Sequence, residues 1–527
     1  MNLVTKNNNT FTIAEIIYIL YFSVMTLAKG LGLYDGMWPY TLSLCVGAFL
    51  ILVKLALTEH TLVEWLYILS LLAIGILTWH NSEQLGALIY LTMIIGMKNI
   101  STKRLFSVGL TLWSITFILL TIATLTGFKT DIFMVHQKLG LGYIIRWSLG
   151  QPHPNVLQIT FVIICAMILY LTKLKGKKLI ITTLIMLLGN MYIFLYSVSY
   201  TGLILACFYL VANLYFSFRK ELNRFEKIMI NLVFPLCIAF AVLIPIAPKG
   251  KLWELGEKIL NTRLIISRFY LLYEPLSLFG GLPTDPLTIP LKNIDNSYVF
   301  VIVKYGIVLF ILMCITYMAY IHHCTKHKKY SELAITLSLA IAAITEPFFV
   351  NPSFKNISLL FVGEFIFMKF NDFAQKKPDL FLNKRFCFCS LGSKEICLPI
   401  DTITNFIKYY CNSTKKNFKF ILTAGICTGL LAGMTFTFFA DIPTRYYVLR
   451  TSAQMVAKDY ILLDIENLPD DFEGKILNYI DAETPMLMFE GNISKMEYAR
   501  GIVSSGLWCG MLVALFISIL FMKNGSS

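Results

Sequence analysis

The sequence predicts an all-α polytopic membrane protein of about fourteen transmembrane helices, and three observations carry that reading. Of 527 residues, 57% are hydrophobic and only 14% charged, with a mean hydropathy of +0.69, far from the balance of a soluble chain. The apolar residues fall in runs close to the roughly 17 to 25 residues that a helix needs to cross a bilayer. None of the runs has barrel-like alternation, and lipid offers backbone N–H and C=O groups no partner outside a helix or a closed barrel.

In chain order the candidate spans are 11–29, 38–53, 62–79, 84–97, 105–126, 156–172, 179–197, 201–217, 228–247, 297–320, 332–349, 357–370, 418–439 and 504–522. The first has no small-residue cleavage site and reads as a span, not a removable leader. Basic residues mark every other connection: Lys98, Lys103 and Arg104; Lys173, Lys175, Lys177 and Lys178; Arg219, Lys220, Arg224 and Lys227; Lys326, Lys328 and Lys329; Lys415, Lys416 and Lys419. By the positive-inside rule these connections are expected in the cytoplasm. Both termini are then cytoplasmic, and segments 127–155, 248–296, 346–356 and 440–503 lie outside.

This divides the chain into N-terminal helices over 1–104, a helical core over 105–370 with three outer segments, a cytoplasmic linker over 371–417 and a two-span appendage over 418–527. None of the 12 cysteines falls in an outer segment, so disulfides are not expected. Cys387, Cys389, Cys397 and Cys411 gather in the linker at no recognisable zinc spacing. The net charge of +14 largely reflects cytoplasmic lysines, whose ordinary partners are the bilayer and its anionic lipids, and nucleic acid is not implied. Segment 248–296 is the exception, since Lys249, Lys251, Lys258, Arg263, Arg268 and Lys292 stand on the side where basic residues are scarce. An anionic ligand outside the membrane would account for them.

The outer segments supply the candidate site. In RWSLGQPHPN, Pro152 and Pro154 fix the backbone around His153, and Asn155 is placed to cap the helix that follows. A rigidly held imidazole with a pKa near 6.5 suits general-base work, and Arg146 suits a phosphate ligand. In TRLIISRFYLLYE, Arg263 and Arg268 stand in an apolar background with Tyr270 and Glu274 following. Snorkelling to headgroups would explain such arginines, and so would a lipid-linked diphosphate, which needs cations beside an apolar stripe. In IDNSYVFVIVKYG, Asp295, Asn296 and Ser297 read as caps, whereas Lys304 falls about two turns inside the expected helix and requires a partner. Glu346 and Glu364 are the acidic candidates.

The order RWSLGQPHPN, SVSYTG, TRLIISRF with the later GG and DNSYVFVIVKYG, then EPFFVNPSFKN resembles the Wzy-type bacterial polysaccharide polymerases of the O-antigen polymerase and ligase superfamily. The resemblance covers about residues 100 to 370. It implies a GT-C-like helical glycosyltransferase in the bacterial cytoplasmic membrane, acting on undecaprenyl-diphosphate-linked glycans at the outer face. Implied partners are the flippase and chain-length regulator of the same pathway. It further implies His153 as base, with Arg146, Arg263 and Arg268 stabilising the diphosphate leaving group, so that no metal or cofactor is expected. Asn155, Tyr270, Asp295, Asn296, Lys304, Glu346 and Asn356 would line the substrate. Many relatives have Ser-Arg-Thr-Gly in the short motif, where this chain has Ser199, Tyr200, Thr201 and Gly202, so one basic ligand is missing. The appendage falls outside the match, and in layout alone resembles the two-span chain-length regulators. A ligase of the same superfamily, or a flippase, is the alternative function.

Overall fold

The computed structural model describes residues 10–138, 140–260, 263–282, 294–350, 354–397, 417–449, 461–464, 468, 472–478 and 483–524. Lys292, Cys411, Lys415 and Lys416 lie outside the described residues.

Seventeen helices account for most of the described chain. The N-terminal part holds α1 (Ile13–Gly30), α2 (Trp38–Leu57), α3 (Leu62–Ser82), α4 (Gly86–Ile95) and α5 (Thr102–Leu125). The middle holds α6 (Pro154–Thr172), α7 (Gly176–Ser197), α8 (Tyr200–Phe218), α9 (Arg224–Ile246), α10 (Lys251–Leu260) and α11 (Arg263–Tyr273). Then follow α12 (Ser297–Phe300), α13 (Ile307–Lys326), α14 (Tyr330–Ala342), α15 (Ser358–Lys376), α16 (Phe418–Phe439) and α17 (Asn492–Asn524). Eleven of them are long and apolar enough to cross a membrane, which makes this a multi-pass membrane protein in a lipid bilayer. Their outward faces carry large apolar side chains such as Leu188, Leu431 and Phe438, as a lipid-facing surface requires.

Three expected spans do not form one long helix, and a fourth, 357–370, forms α15, which is long but not apolar enough to be among the eleven. The helix within 84–97 has 10 residues and that within 332–349 has 13, which leaves Glu346 beyond the helix end. The third, 297–320, is interrupted after α12 by a wide turn over Val301–Tyr305 and by Gly306 at φ 94°. The cause is a crossing loop: the amides of Ile307 and Val308 donate to Ser277 O (3.0 Å) and Leu278 O (3.1 Å). A methyl group on Gly306 would lie 2.4 Å from Leu278 O, and one on Gly280 would lie 2.0 Å from Lys304 O. Two glycines therefore let loop and helix cross in backbone contact.

The chain is also not purely helical. Short strands β1 (Thr10–Thr12) and β2 (His60–Thr61) pair with segments of the expected linker, β6 (Glu395–Cys397) and β5 (Arg385–Phe386), and dock it beneath α1 to α3. In segment 127–155, β3 (Phe133–Lys138) and β4 (Gly142–Trp147) form an antiparallel hairpin. In the appendage, β7 (Arg445–Leu449), β8 (Ile461–Asp464), β9 (Lys475–Ile476) and β10 (Glu483–Glu490) form a four-stranded sheet. Strand residues alternate faces, so Val135 and Ile145 turn one way, into a cluster with Tyr446, Val448, Leu487 and Phe489 of that sheet. His136, Lys138 and Arg146 turn the other way, toward the helical bundle.

A buried charge cluster at the hairpin end of the bundle

The start of α6, the end of α7, the start of α8, the end of α14 and the hairpin converge at one end of the bundle. A tight turn delivers the α6 start: Asp131 Oδ1 accepts from Ser148 Oγ (2.9 Å) and Gly150 N (3.0 Å). His153 is the N-cap of α6, its Nδ1 accepting from the amide of Asn155 at 3.0 Å. The helix is thus capped by His153 and not by Asn155, whose side chain is free to reach across the site.

Arg146, 3% exposed, is held at two donors: Nε donates to Ser197 O (2.7 Å) and an Nη to Asn155 Oδ1 (2.5 Å). Asn155 Nδ2 donates in turn to Glu346 Oε1 (3.0 Å), which also accepts from Thr201 Oγ1 (2.5 Å). Arg263, the first residue of α11, brings an Nη to 3.3 Å from Asp295 and 3.8 Å from Glu346, while its Nε donates to Thr345 O (2.9 Å). The α12 start fixes these carboxylates: Ser297 N donates to Ala343 O (2.8 Å) and Ser297 Oγ to Glu346 O (2.5 Å).

Burial dominates the electrostatics. It holds the Glu346 and Asp295 carboxyls above the usual carboxylate range, against the pull of Arg263. It lowers the Arg146 guanidinium to about 10, which leaves it charged at neutral pH. Lys138, half-buried and facing Arg146 and Arg263, is lowered to about 8 by desolvation and by those two charges. His153 is pushed down to about 4 by burial and by Arg146, Lys138 and Arg263, and His136 to about 3 by burial and Arg146. Three cations therefore stand against two carboxylates whose charged forms are disfavoured. A guanidinium has five N–H donors and Arg146 uses two on the described residues, so the site can accept an anion.

The structure brings Arg146, His153, Asn155, Arg263, Asp295 and Glu346 together. It places the other candidates elsewhere. Arg268, expected beside Arg263 as a phosphate ligand, turns to the end of α9 and donates to Pro245 O (2.9 Å) and Ala247 O (2.7 Å), where exposed carbonyls attract a cation. Tyr270 packs with Ile266, Ile294, Val299 and Val303. Asn296 caps α12 by accepting from the amides of Tyr298 and Val299. Asn356 donates to Tyr317 Oη (2.9 Å) and Phe349 O (2.8 Å). Lys304 lies in the wide turn, not in a regular helix, and the carboxylate acting on it is Glu274. Glu346 is taken by Arg263, and Glu364 accepts from Thr102.

His153 also differs from its expected state. Its Nδ1 lone pair accepts a backbone N–H, so the neutral ring carries its proton on Nε2 and presents a donor to the site. Lys138 and His136 were not legible as site residues, because their inward direction follows from hairpin register. Thr201 was visible only as part of the SYTG motif.

Comparison with protein-family models, with curated proteins and with solved structures finds no match to this chain.

Proposed function

We propose that this cluster binds the diphosphate of a lipid-linked oligosaccharide and transfers its glycan to the terminal hydroxyl of another, polymerising repeat units at the outer face of a bacterial cytoplasmic membrane. The observation that carries the reading is the pair of guanidiniums, buried Arg146 with donors to spare and partly buried Arg263, converging on Glu346 at the mouth of a membrane bundle. The resemblance to Wzy-type polymerases supports the substrate class. It also suggests the flippase and chain-length regulator as partners.

In this reaction the acceptor oxygen bonds to the anomeric carbon, the bond from that carbon to the diphosphate oxygen breaks, and undecaprenyl diphosphate leaves with the electron pair. Arg146, Arg263 and Lys138 stabilise the charge developing on the leaving group. The Nε2–H of His153 is a further donor to it. Asp295, more exposed than Glu346 and with a raised pKa, takes the acceptor proton. Glu346 positions Asn155, Thr201 and Arg263.

A broken helix also occurs in transporters, and the 301–306 interruption raises that reading. Transporter breaks lie near the bilayer midplane, however, whereas the 20 residues of α13 beyond this one suffice to span. The test is the size of cell-surface polysaccharide in a deletion strain complemented with wild type, Arg146→Ala or Asp295→Asn at equal membrane levels. Loss of high-mass polymer with single repeat units still at the surface is expected. Normal polymer in the deletion strain would remove the reading, and repeat units retained inside would favour transport.

A further inference from the structure

The opposite end of the same helices encloses a second polar site. The end of α6, the start of α7, the end of α8 and the start of α14 surround a cavity of about 390 Å³. At 1.5 Å per residue the 19 residues of α6 separate it from the charge cluster by about 28 Å, so the two sites open at different membrane faces. Among the described residues, Lys173, Lys175, Arg219, Lys328 and Lys329 line it, against Glu332 alone.

Most of that charge is not neutralised within the cavity. Glu332 is engaged by Lys329 (3.4 Å) and by the Tyr320 hydroxyl (2.6 Å). Arg219 and Lys328 lean outward to Glu226 and Glu221. Lys173 and Lys175 have no carboxylate at ion-pair distance among the described residues. Deeper in the wall, Asn213 is 5% exposed, and its side chain makes no hydrogen bond among the described residues, which leaves an amide open to the cavity. Leu169, Leu179 and Phe216 give the cavity apolar sides, and Ser217 and Ser331 add hydroxyls beside the cations.

We infer that this cavity is a binding site for the headgroup of an anionic phospholipid, with the phosphate between Lys173 and Lys175 and a headgroup hydroxyl or phosphate ester oxygen on the Asn213 amide. A volume of this order suits a small ligand. Cations at the rim, an amide in the depth and apolar helix sides leading toward the membrane match a lipid, whose acyl chains stay in the bilayer, better than a free ion. The inference is independent of the polymerase reading, since none of these residues belongs to the charge cluster.

The test is native mass spectrometry of the full chain in detergent, titrated with phosphatidylglycerol or phosphatidylcholine, for wild type, Lys173→Ala/Lys175→Ala, Asn213→Leu and the control Lys177→Ala/Lys178→Ala. The control lysines sit beside the cavity without lining it. Lys173 and Lys175 are exposed, so their replacement leaves the fold intact even if Asn213→Leu does not. Wild type and control are expected to retain phosphatidylglycerol at about tenfold lower concentration than the Lys173/Lys175 variant, and in preference to phosphatidylcholine. Equal losses in the control and the cavity variant would overturn the site in favour of diffuse surface attraction. Displacement of the lipid by millimolar glycerol phosphate would overturn the lipid as occupant in favour of a soluble phosphate.

Discussion

The helical core and the C-terminal module are held together by different means, and they meet at the hairpin that carries Arg146. In the core, 61% of the α6 span is buried inside the protein, whereas only 11% of the α16 and α17 spans is. The two C-terminal helices instead lie against each other along a glycine seam. A methyl group on Gly429 would sit 2.7 Å from Gly506 O, and one on Gly510 would sit 2.6 Å from Gly425 O. Such close backbone approach is how helices associate where lipid removes any hydrophobic incentive. Among the polar links from this module to the hairpin and α7, Arg500 on α17 reaches furthest toward the site: it donates to Ile145 O (3.1 Å) and Leu195 O (2.7 Å), and ion-pairs with Glu497. Arg146 grips Ser197 O (2.7 Å) from the other side. Two arginines thus fix the junction of β4 and α7, one from each region. The comparison teaches that a loosely buried module can still set the geometry of a buried charge cluster if it holds the right carbonyls.

The sharpest way to break the core side is Glu346→Ala. It strands the Asn155 amide, the Thr201 hydroxyl and Arg263 in a site where Glu346 is 5% exposed, and removing one partner of such a network costs about 3–5 kcal/mol. A clear fall in the apparent unfolding temperature in detergent is expected, with Glu346→Gln milder because its amide oxygen still accepts from Asn155 and Thr201. Equal melting of Glu346→Ala and wild type would mean that the network contributes nothing.

Breaking the link should cost less. Arg500→Ala removes the donors that hold Ile145 O and Leu195 O and leaves Glu497 with Trp147 Nε1 (3.2 Å), a loss of roughly 2 kcal/mol. Hydrogen exchange should quicken in residues 142–147 while α6 keeps its protection. If α6 loosens equally, the two regions form one cooperative unit and the contrast drawn above fails.

Overpacking the seam with Gly429→Leu should cost on the order of 1–2 kcal/mol and act on the module alone. Spin labels at Leu422 and Leu507 would report a wider α16–α17 distance, with the melting of the core unchanged. A loss of core stability would show that the module supports more than the hairpin.

What could be read from the sequence follows the same division. Lipid-facing helices declare themselves by hydropathy, and Arg146, Arg263, Asp295 and Glu346 declared themselves as charges beside apolar runs. Lys304 was misplaced because the Gly280–Gly306 crossing breaks the helix through contacts remote in sequence. Arg268 was grouped with Arg263 by proximity along the chain, although α11 aims it at the carbonyls of α9. The hairpin escaped notice because FMVHQK and GYIIRW are short, and only their pairing decides that Lys138, His136 and Arg146 share a face. The seam, by contrast, was present as Gly425, Gly429 and Gly433 at four-residue spacing.

The smallest effect concerns pH and separates the two imidazoles, His136 and His153, from the rest of the cluster. His153 titrates near 6.5 when unfolded but at about 4 in the folded protein. Between those values the unfolded chain binds a proton that the folded one does not, so stability rises with pH across the window and is lost as pH falls from 6.5 toward 4. Lowering the pH from 7.5 to 6 should therefore destabilise wild type by about 1 kcal/mol through His153 alone. His136, lowered to about 3 in the same direction, steepens the fall. His153→Gln keeps a side-chain oxygen to accept from the Asn155 amide but cannot titrate, so its melting temperature should depend less on pH than that of wild type. An unchanged slope would mean that the imidazole titrates as it does in water, and would remove His153 from the charge cluster altogether.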